Sequence, residues 1–423
     1  VKEGKTYVSV GESSLAKTVL GPSDDGFRKV YWQNGDCLNI NGSASEPLAD
    51  ISEGTSSVVF EFNALLDYPY NVLYPASAWK DENTVSLPSC QTYTPGSFDP
   101  AAAITLAAAA TADDAILMKS PCAVLKLNIT KDTDECALNT LVFSGKAGEQ
   151  VCGDFTPDFG AATLTGKSSA EADKTLTMDI SSLTLTGDGV DVFLGVPAGT
   201  YASGFNIRIS DAKGHFMDQA KTSSVTLEAG KVYALPTFSF TPTGTLVIID
   251  TADKYLSFVS DFNSGVYGTK NANVNVEVTA DLDFEGKTFK TMGNANYEFS
   301  GTWHGNGKLM KNITATDQSL FYTPANATFT GIVIDESCSF TRSGQNGGHW
   351  GIIARTIDSG TISDCDVNCD WNMDYGNGEF TYGTFCGRLN GKMTNCHMNG
   401  KLIYTRTKTS KVTNYLWIGG IVG

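Results

Sequence analysis

A short segment recurs near the end of this 423-residue chain, and it limits what the last third can fold into. Residues 360–367 recur as 391–398, and a looser copy begins at Phe329, 33 residues before its counterpart Ile362. Each copy places apolar residues at positions 1, 4 and 6 of a short predicted strand. Self-similarity at a period of about 20 to 45 residues predicts a solenoid whose repeats bury their inner faces by stacking. A solenoid offers long exposed faces rather than a deep pocket.

The charge balance excludes one class of partner. The chain has 46 acidic and 30 basic residues and a formal net charge of −16, which repels the phosphate backbone of nucleic acid. We therefore expect no nucleic-acid partner. Charged residues make up only 18% of the chain, and glycine is abundant with 43 residues. This composition is typical of many short strands joined by turns, so the predicted fold class is all-β.

The sequence predicts no transmembrane helix, because no run of apolar residues reaches the length that a bilayer requires. The nearest candidate, Ala101–Ala110, is too short. The sequence starts at Val1, without an initiator Met or an apolar leader. We therefore expect that a targeting segment has been removed from this chain.

Strand and turn patterns predict three domains, at residues 1–118, 119–241 and 245–423. The first contains strands around residues 58–62 and 70–74, while its alanine-rich stretch after Pro100 fits either a short helix or a buried strand. The second has several alternating strands and is predicted to be a β-sandwich. In the third, Asp250 or Thr251 can begin a helix whose buried side includes Tyr255 and Phe258. This short helix would cap the open end of the solenoid.

Ten cysteines without a Cys-x-x-Cys pair give little reason to expect a metal site, and no cofactor is predicted. Most are predicted to be buried free thiols, as is common for cysteine. Cys365 and Cys396 occupy the repeat position that Ile332 fills in the looser copy, so they are predicted to face the interior. A disulfide between adjacent repeats stays open as an alternative, because stacked strands and bridged Cα atoms have similar spacings.

The third domain resembles the right-handed β-helix domains of bacterial surface proteins that carry a Gly-Leu-Uncharged-Gly motif. The resemblance rests on Phe299–Met310, which reads Phe-Ser-Gly-Thr-Trp-His-Gly-Asn-Gly-Lys-Leu-Met, and on Gly419–Gly423, which reads Gly-Gly-Ile-Val-Gly. Looser forms of the glycine turn lie at 351–354 and 383–387. The resemblance covers about 245–423 and implies a right-handed parallel β-helix.

Residues 1–241 are similar to the fimbrillin-like pilus and surface proteins of Gram-negative anaerobes. The segments that carry this similarity keep the family's order and spacing: 17–20, 30–36, 73–76, 195–201 and 227–233. The family implies two β-sandwiches of the immunoglobulin or transthyretin type, and outer-membrane attachment through a lipidated cysteine that this chain lacks. It also implies polymerisation by strand exchange in many members. A simple shaft subunit would end after the second sandwich, whereas this chain continues.

Enzymes built on a β-helix need clustered carboxylates for Ca²⁺ binding or acid–base chemistry. The repeat alignment places Asn395 after Asp364, and His397 after Asp366, so no acidic column forms along the solenoid. The pairs Asp281 with Asp283 and Asp366 with Asp370 fit exposed strand and turn positions better than a catalytic pair. We therefore predict that the protein is not an enzyme.

Aromatic residues in the third domain provide the predicted ligand-binding site, because a ring on a rigid scaffold can stack on a sugar or dock on a protein. The predicted residues are Trp350, Trp371, Tyr375 and Tyr382, and the stretch 371–382 is predicted to be a long loop between repeats. The alternative is that these rings cover the sides and ends of the solenoid. The basic stretch 401–411 could hold an anionic glycan, but protection of an edge strand explains it better.

These observations predict a cell-surface adhesin, or an accessory or tip fimbrial protein, that displays a β-helix binding domain on a β-sandwich stalk. The expected partners are a host or bacterial surface glycan or protein, and other fimbrial subunits. The expected location is the outer membrane, through an anchor absent from this chain, or the extracellular space. Two alternatives are a carbohydrate-active β-helix enzyme, such as a polysaccharide lyase or hydrolase, and a structural pilus subunit assembled by strand exchange.

Overall fold

The computed structural model describes residues 4–11, 19–24, 27–131, 135–268, 274–343, 348–375, 380–406 and 416–423. These residues are mostly in β-strands, as the composition predicted, and they contain one α-helix. The chain divides into two compact units, Val1–Pro242 and Thr243–Gly423. Within the described ranges, no helix is both long and apolar enough to span a membrane.

The first unit is built mainly from antiparallel sheets. Three short 3₁₀-helices interrupt its strands: Ala76–Ala78, Pro100–Ala102 and Glu171–Lys174. Its described strands are Thr6–Val10, Val19–Asp24, Phe27–Tyr31, Asn39–Ile40, Ser43–Ala44, Val58–Phe62, Tyr70–Tyr74, Trp79–Asp81, Thr84–Leu87, Cys90–Thr92, Thr105–Ala109, Cys122–Thr130, Cys136–Gly145, Gly153–Asp158, Thr163–Gly166, Thr175–Asp179, Thr184–Leu185, Val190–Pro197, Gly199–Tyr201, Phe205–Asp211, His215–Lys221, Val225–Leu227, Val232–Ala234 and Phe238–Ser239.

Alternation of buried and exposed residues positions these strands as the sequence predicted. In Val58–Phe62, the residues at positions 58, 60 and 62 are buried, and the Phe60 ring meets Trp32 edge-on at 5.2 Å between centroids.

The alanine-rich stretch after Pro100 contains both of the predicted alternatives, a short helix and a buried strand, one after the other. A 3₁₀ turn at Pro100–Ala102, capped by the Asp99 carboxylate, precedes the buried strand Thr105–Ala109. The proline suits the first turn because its missing N–H would lack a partner there anyway.

Strands from both sides of the predicted 118/119 boundary pair with each other. Thr84–Leu87 is antiparallel to Gly153–Asp158, and Cys90–Thr92 is parallel to Thr175–Asp179. One hydrophobic cluster also includes Phe60 from the first side and Phe193 from the second. The two halves therefore share a core within one compact unit, and their division into separate domains stays a prediction.

The second unit consists of short strands stacked in parallel, an arrangement that is β-helix-like. Four stacks are described. Their strands are, stack by stack, Gly244–Ile249, Val274–Val278, Thr302–His304, Thr328–Thr330, Ala354–Ser363 and Cys386–Thr394; Leu282–Asp283, Leu309–Lys311, Val333–Ile334, Asp366–Val367 and His397–Met398; Thr314–Thr316, Ser339–Arg342, Trp371–Tyr375 and Leu402–Arg406; and Gly348–Trp350, Phe380–Tyr382 and Leu416–Ile418.

The strand register confirms the alignment of the sequence repeat. Ile362 pairs with Met393 at the 31-residue offset, and Phe329 pairs with Ile362 at the 33-residue offset. The same column continues through Trp303, and the described rings in it are buried. Each repeat therefore buries its apolar positions against the next one, as expected for a solenoid.

The predicted helix spans Ala252–Asn263. The Thr251 hydroxyl accepts a hydrogen bond from the Lys254 N–H at 3.2 Å, which satisfies one of the free donors at the helix start. Tyr255 and Phe258 are buried, as predicted, and belong to the same core cluster as the stacked strands. Leu256 is only partly buried against that core. The helix therefore covers part of the solenoid core.

Glycines set how closely adjacent repeats can approach. Gly360 and Gly391 stack directly on each other, and a Cβ atom at Gly391 would overlap the carbonyl oxygen of Gly360. A Cβ at Gly387 would overlap the backbone nitrogen of Trp350. Gly387 therefore leaves room for the strand Gly348–Trp350.

Replacing Gly391 with alanine should destabilise the second unit by about 1–3 kcal/mol, because the added methyl group forces two backbones apart. Urea unfolding followed by tryptophan fluorescence would measure this change. Gly420→Ala is the matched control, since a Cβ there has no neighbour within 4 Å and the change should have little effect. Equal stability of the two variants would contradict a spacing role for Gly391.

Candidate functional site

An aromatic–arginine cluster lies on the second unit. We use this name for Tyr322, Arg342, Trp350 and Arg355. Both arginines lie against the indole of Trp350, with guanidinium carbons 3.9 Å (Arg342) and 4.1 Å (Arg355) from the ring centroid. Arg355 also lies 4.8 Å from the ring centroid of Tyr322. Stacked guanidinium and aromatic groups attract each other through the ring quadrupole, and this attraction grows as water is excluded.

The strand Gly348–Trp350 holds the indole in place. It pairs in parallel with Phe380–Tyr382, so that His349 faces Thr381 and Trp350 faces Tyr382. Trp350 is half-buried, and its indole N–H has no hydrogen-bond partner among the described residues. The site thus presents a partly exposed ring on a rigid strand, while the indole N–H itself is buried and has no acceptor among the described residues.

Arg342 anchors the cluster from the inside. It is only 5% exposed and forms an ion pair with Asp317. Asp317 lies in the turn just after a strand and has a φ of 56°. Its carboxylate also accepts hydrogen bonds from the backbone N–H of Ser343, at 2.8 Å, and from the Ser343 hydroxyl. Burial alone would raise the pKa of Asp317, but the bonds from Ser343 and the charge of Arg342 outweigh it, and the pKa is lowered. The buried cation thus has an ionised counterion.

Arg355 and Arg388 provide the accessible positive charge. Arg355 is half-buried, its Nε donates to the His349 carbonyl at 3.5 Å, and its backbone N–H donates to the Tyr322 carbonyl. Arg388 is exposed on the next strand of the stack, opposite Thr356. Within the described part of the chain, neither guanidinium has a carboxylate within ion-pair distance, whereas Arg208 and Arg342 each have one.

His349 lies near both of these charges. Its Nδ1 is 2.6 Å from the Thr381 hydroxyl. Burial lowers the pKa of His349, and the positive charges of Arg388 and Arg355 lower it further. The imidazole is therefore neutral at pH 7 and can act as a hydrogen-bonding group without adding charge.

The structure brings three of the four predicted site residues together: Trp350, Trp371 and Tyr382. It corrects the predicted ligand-binding role of Trp371 and Tyr382. Trp371 and Tyr382 meet edge-on, with ring centroids 5.7 Å apart, and Tyr382 is the register partner of Trp350. Trp371 lies in a strand paired on both sides rather than in a loop, and it is 3% exposed, while Tyr382 is fully buried. Both rings therefore support the site from the core and cannot present a face to a ligand. The side chain of Tyr375 lies outside the described residues.

Burial also governs the Tyr382 hydroxyl. It raises the pKa of Tyr382 to about 12, while the nearby Arg342 acts in the opposite direction. Tyr382 is thus a neutral phenol beside the buried guanidinium of Arg342.

In the basic stretch 401–411, Leu402–Arg406 forms a strand, and Lys408 and Lys411 lie outside the described residues.

The carboxylates weighed as catalytic candidates bind neighbouring repeats. Asp281 pairs with Lys311 at 2.8 Å, and Asp283 accepts from Asn312 at 2.8 Å. Asp366 lies 3.0 Å from His397 Nδ1, and Asp370 accepts from the backbone N–H of Lys401. In the described ranges, no three His, Cys, Asp or Glu residues come close enough to hold a metal ion. These carboxylates connect one repeat to the next.

All ten cysteines are free thiols, and seven of them are buried, which confirms the prediction for most. Cys365 is buried in the predicted column, but Cys396 is only half-buried, because its repeat has a neighbour on one side only in the described part of this stack. A hydrogen bond from Cys365 lowers the pKa of Cys396 to about 7. The same bond, together with burial, raises the pKa of Cys365.

This pairing predicts selective alkylation. At about pH 7.5, iodoacetamide should modify Cys396 and Cys90 before the buried cysteines. Cys396 should react early because its pKa is lowered and the thiolate is the reactive form, and Cys90 because it is exposed. Burial raises the pKa of Cys338 to about 11 and that of Cys369 to about 12. Timed labelling and peptide mass spectrometry would measure the order, with the denatured protein as the control for full labelling. Labelling of Cys338 at the rate of Cys396 would contradict the prediction.

The sequence did not predict Arg342, Arg355, Arg388 or Tyr322 as residues of the site. A signal was present, since four of the six arginines in the chain lie between residues 342 and 406. Their clustering in an acidic chain pointed to a local positive surface. Strand alternation alone could not show that two of them share one tryptophan ring.

Comparison with known proteins gives distant structural resemblances. No protein-family model matches the sequence, and no curated protein matches it. A candidate cell adhesion protein from Bacteroides ovatus has a TM-score of 0.32 and 12% identity, covering 55% of this chain and 93% of that one. A second, from Bacteroides uniformis, has a TM-score of 0.31 and 15% identity over 55% and 94%. A third, from Bacteroides fragilis, has a TM-score of 0.33 and 12% identity over 56% and 92%.

Proposed function

We propose that this protein is a cell-surface adhesin in which two fimbrillin-type sandwiches carry a right-handed β-helix that binds a glycan or protein. The sandwiches act as the stalk or assembly module, and the parallel stacks act as the display scaffold. Surface location and the fimbrial relationship are parts of this proposal.

The observation that carries the proposal is the supported tryptophan. Trp350 is half-buried on a paired strand, with Arg342 and Arg355 against its ring and Tyr382 as its register partner on the adjacent strand. Partly exposed Trp and Arg side chains on a rigid scaffold are typical anchors of binding surfaces, since they lose little entropy on binding. Such a platform can pack against a sugar or a protein side chain through the edge of the indole and the half-buried Arg355 beside it.

We propose binding rather than catalysis for the same surface. The described groups around Trp350 are two guanidiniums, a neutral imidazole, hydroxyls and one carboxylate, Asp317, which is ion-paired with Arg342. Glycoside hydrolysis, in contrast, generally uses a pair of carboxylates. Incubation of the purified protein with a polysaccharide panel, followed by product analysis, would test this part. Release of shortened or unsaturated sugars would favour the enzyme alternative.

The central experiment measures binding of the full chain to glycan and matrix-protein arrays. Trp350→Ala should reduce the binding of the best ligand at least about tenfold, as expected for a central anchor residue. Tyr7→Ala is a control for loss of an exposed aromatic in the first unit, and circular dichroism would show that both variants are folded. Trp350→Phe keeps an aromatic ring and should retain part of the affinity. Binding that survives Trp350→Ala, or no binding on any array, would contradict the proposal.

A further inference from the structure

We propose that the aromatic–arginine cluster, with His349 and Arg388, binds an anionic glycan, whose carboxylate or sulfate groups are held by Arg355 and Arg388. This inference rests on the proposed binding function and specifies its ligand class. It starts from two cations on adjacent strands that have no carboxylate within ion-pair distance among the described residues.

The charge distribution sets these two arginines apart. In a chain with a net charge of −16, an exposed cation has many carboxylates available as partners. Arg208 pairs with Asp218, and the buried Arg342 pairs with Asp317. Among the described residues, Arg355 and Arg388 lack such a partner. A local positive site of this kind attracts anions against the overall field of the protein.

The register places the two arginines on adjacent strands of one stack, offset by one residue. Ala354 pairs with Cys386 and Thr356 pairs with Arg388, so Arg355 lies opposite Gly387 rather than opposite Arg388. Adjacent strands are about 4.8 Å apart. Both guanidiniums also lie close enough to His349 to lower its pKa. The nearest carboxylate along this strand, Asp358, accepts a hydrogen bond from Asn390 at 2.7 Å.

The side-chain chemistry suits an acidic sugar better than a simple ion. A guanidinium presents a planar fork of donors that matches a carboxylate or sulfate, and it stays charged at all physiological pH values. Arg342 and Arg355 lie against the faces of the Trp350 indole, so the ring offers its edge, beside the Arg355 guanidinium, to the apolar part of the sugar. Charge and apolar surface are therefore available to the same residue of a glycan.

Stacking also fixes the orientation of Arg355. Its guanidinium lies over both Tyr322 and Trp350, and its Nε donates to the His349 carbonyl. This uses one donor of the group, and among the described residues its two outer nitrogens have no hydrogen-bond acceptor, so they are available to a ligand. Preorganisation of this kind lowers the entropy lost on binding.

Binding of the full chain to three soluble polymers would test the inference. The probes are polygalacturonate, which carries carboxylates, dextran sulfate, which carries sulfates, and neutral dextran. We expect binding to one or both anionic polymers that weakens as salt is raised from about 0.05 to 0.5 M, and none to dextran. The relative affinity of the two anionic polymers distinguishes carboxylate from sulfate recognition.

Substitutions identify the site. Arg355→Gln and Arg388→Gln should each weaken binding to the preferred anionic polymer about tenfold to hundredfold, the range for one charged hydrogen-bonding group. Arg208→Gln is the matched control, because Arg208 also lies over an aromatic ring, Phe216 at 3.9 Å, but is paired with Asp218. Its binding should equal that of the unmodified protein.

The outcomes separate this inference from the proposed function. Binding to neutral ligands that depends on Trp350 but not on Arg355 or Arg388 would overturn the anionic ligand class and leave the adhesin proposal standing. Anionic binding that falls equally in Arg208→Gln would show non-specific charge attraction and would also overturn it. No binding to any polymer, glycan or matrix protein would overturn both.

Discussion

Replacing Trp303 with alanine is expected to destabilise the second unit by about 3–5 kcal/mol, the cost of removing a large aromatic side chain from a packed core. Trp303 is fully buried in the inward column of the first stack. Its ring meets Phe321 edge-on at 5.3 Å and Tyr255 of the helix at 6.0 Å. The cavity would therefore separate the helix from the strands that it covers.

Urea unfolding of the full chain, followed by circular dichroism, would measure this loss. Trp417→Ala is the matched control, since Trp417 is in the same unit but is 50% exposed, so that its removal leaves no large cavity. We expect the control to change the free energy of unfolding by less than about 1 kcal/mol. Similar losses in both variants would contradict the central position of Trp303.

Replacing Gln91 with leucine is expected to destabilise the first unit by about 2–5 kcal/mol, because it leaves two buried backbone groups without partners. Gln91 is 2% exposed. Its amide donates to the carbonyl of Gly195 at 2.7 Å, and its amide oxygen accepts from the N–H of the same glycine at 3.1 Å. The side chain thus satisfies the backbone of Gly195 as a neighbouring strand would.

The same unfolding measurement applies to the first unit, with Gln33→Leu as the control because Gln33 is exposed. Gln91→Glu offers a second test. At pH 7 it either places a charge opposite a carbonyl oxygen or must take up a proton well above its ordinary pKa of about 4, so it should also destabilise the unit, and less so as the pH falls. A stable Gln91→Leu protein would show that the two backbone groups find other partners.

The repeat register was predictable from the sequence because stacking requires equivalent residues to lie above one another. Phe329, Ile362 and Met393 therefore align by offset alone, and the structure pairs them. The helix was predictable for a similar reason, since its N-cap at Thr251 and its apolar spacing are local properties. Both features depend on residues that are near in sequence or fixed by a period.

The candidate site was only partly predictable because it depends on contacts between different strands and turns. Trp371 precedes polar and glycine residues that suggested a loop, but parallel pairing with Phe340 and Leu402 places it in a strand and in the core. Arg342 and Arg355 contact the same ring because the turn at Asp317 positions Arg342 and the strand at Trp350 positions the indole. The repeat period of the sequence does not predict these contacts.

The turn at Asp317 gives the cluster resistance to acid. Because the pKa of Asp317 is lowered in the folded protein, its ionisation stabilises the fold fully above the ordinary aspartate value of about 4. That contribution is lost only as the pH falls through the lower folded value. Arg342 therefore keeps its counterion in mildly acidic surroundings, and the Trp350 ring keeps its support there.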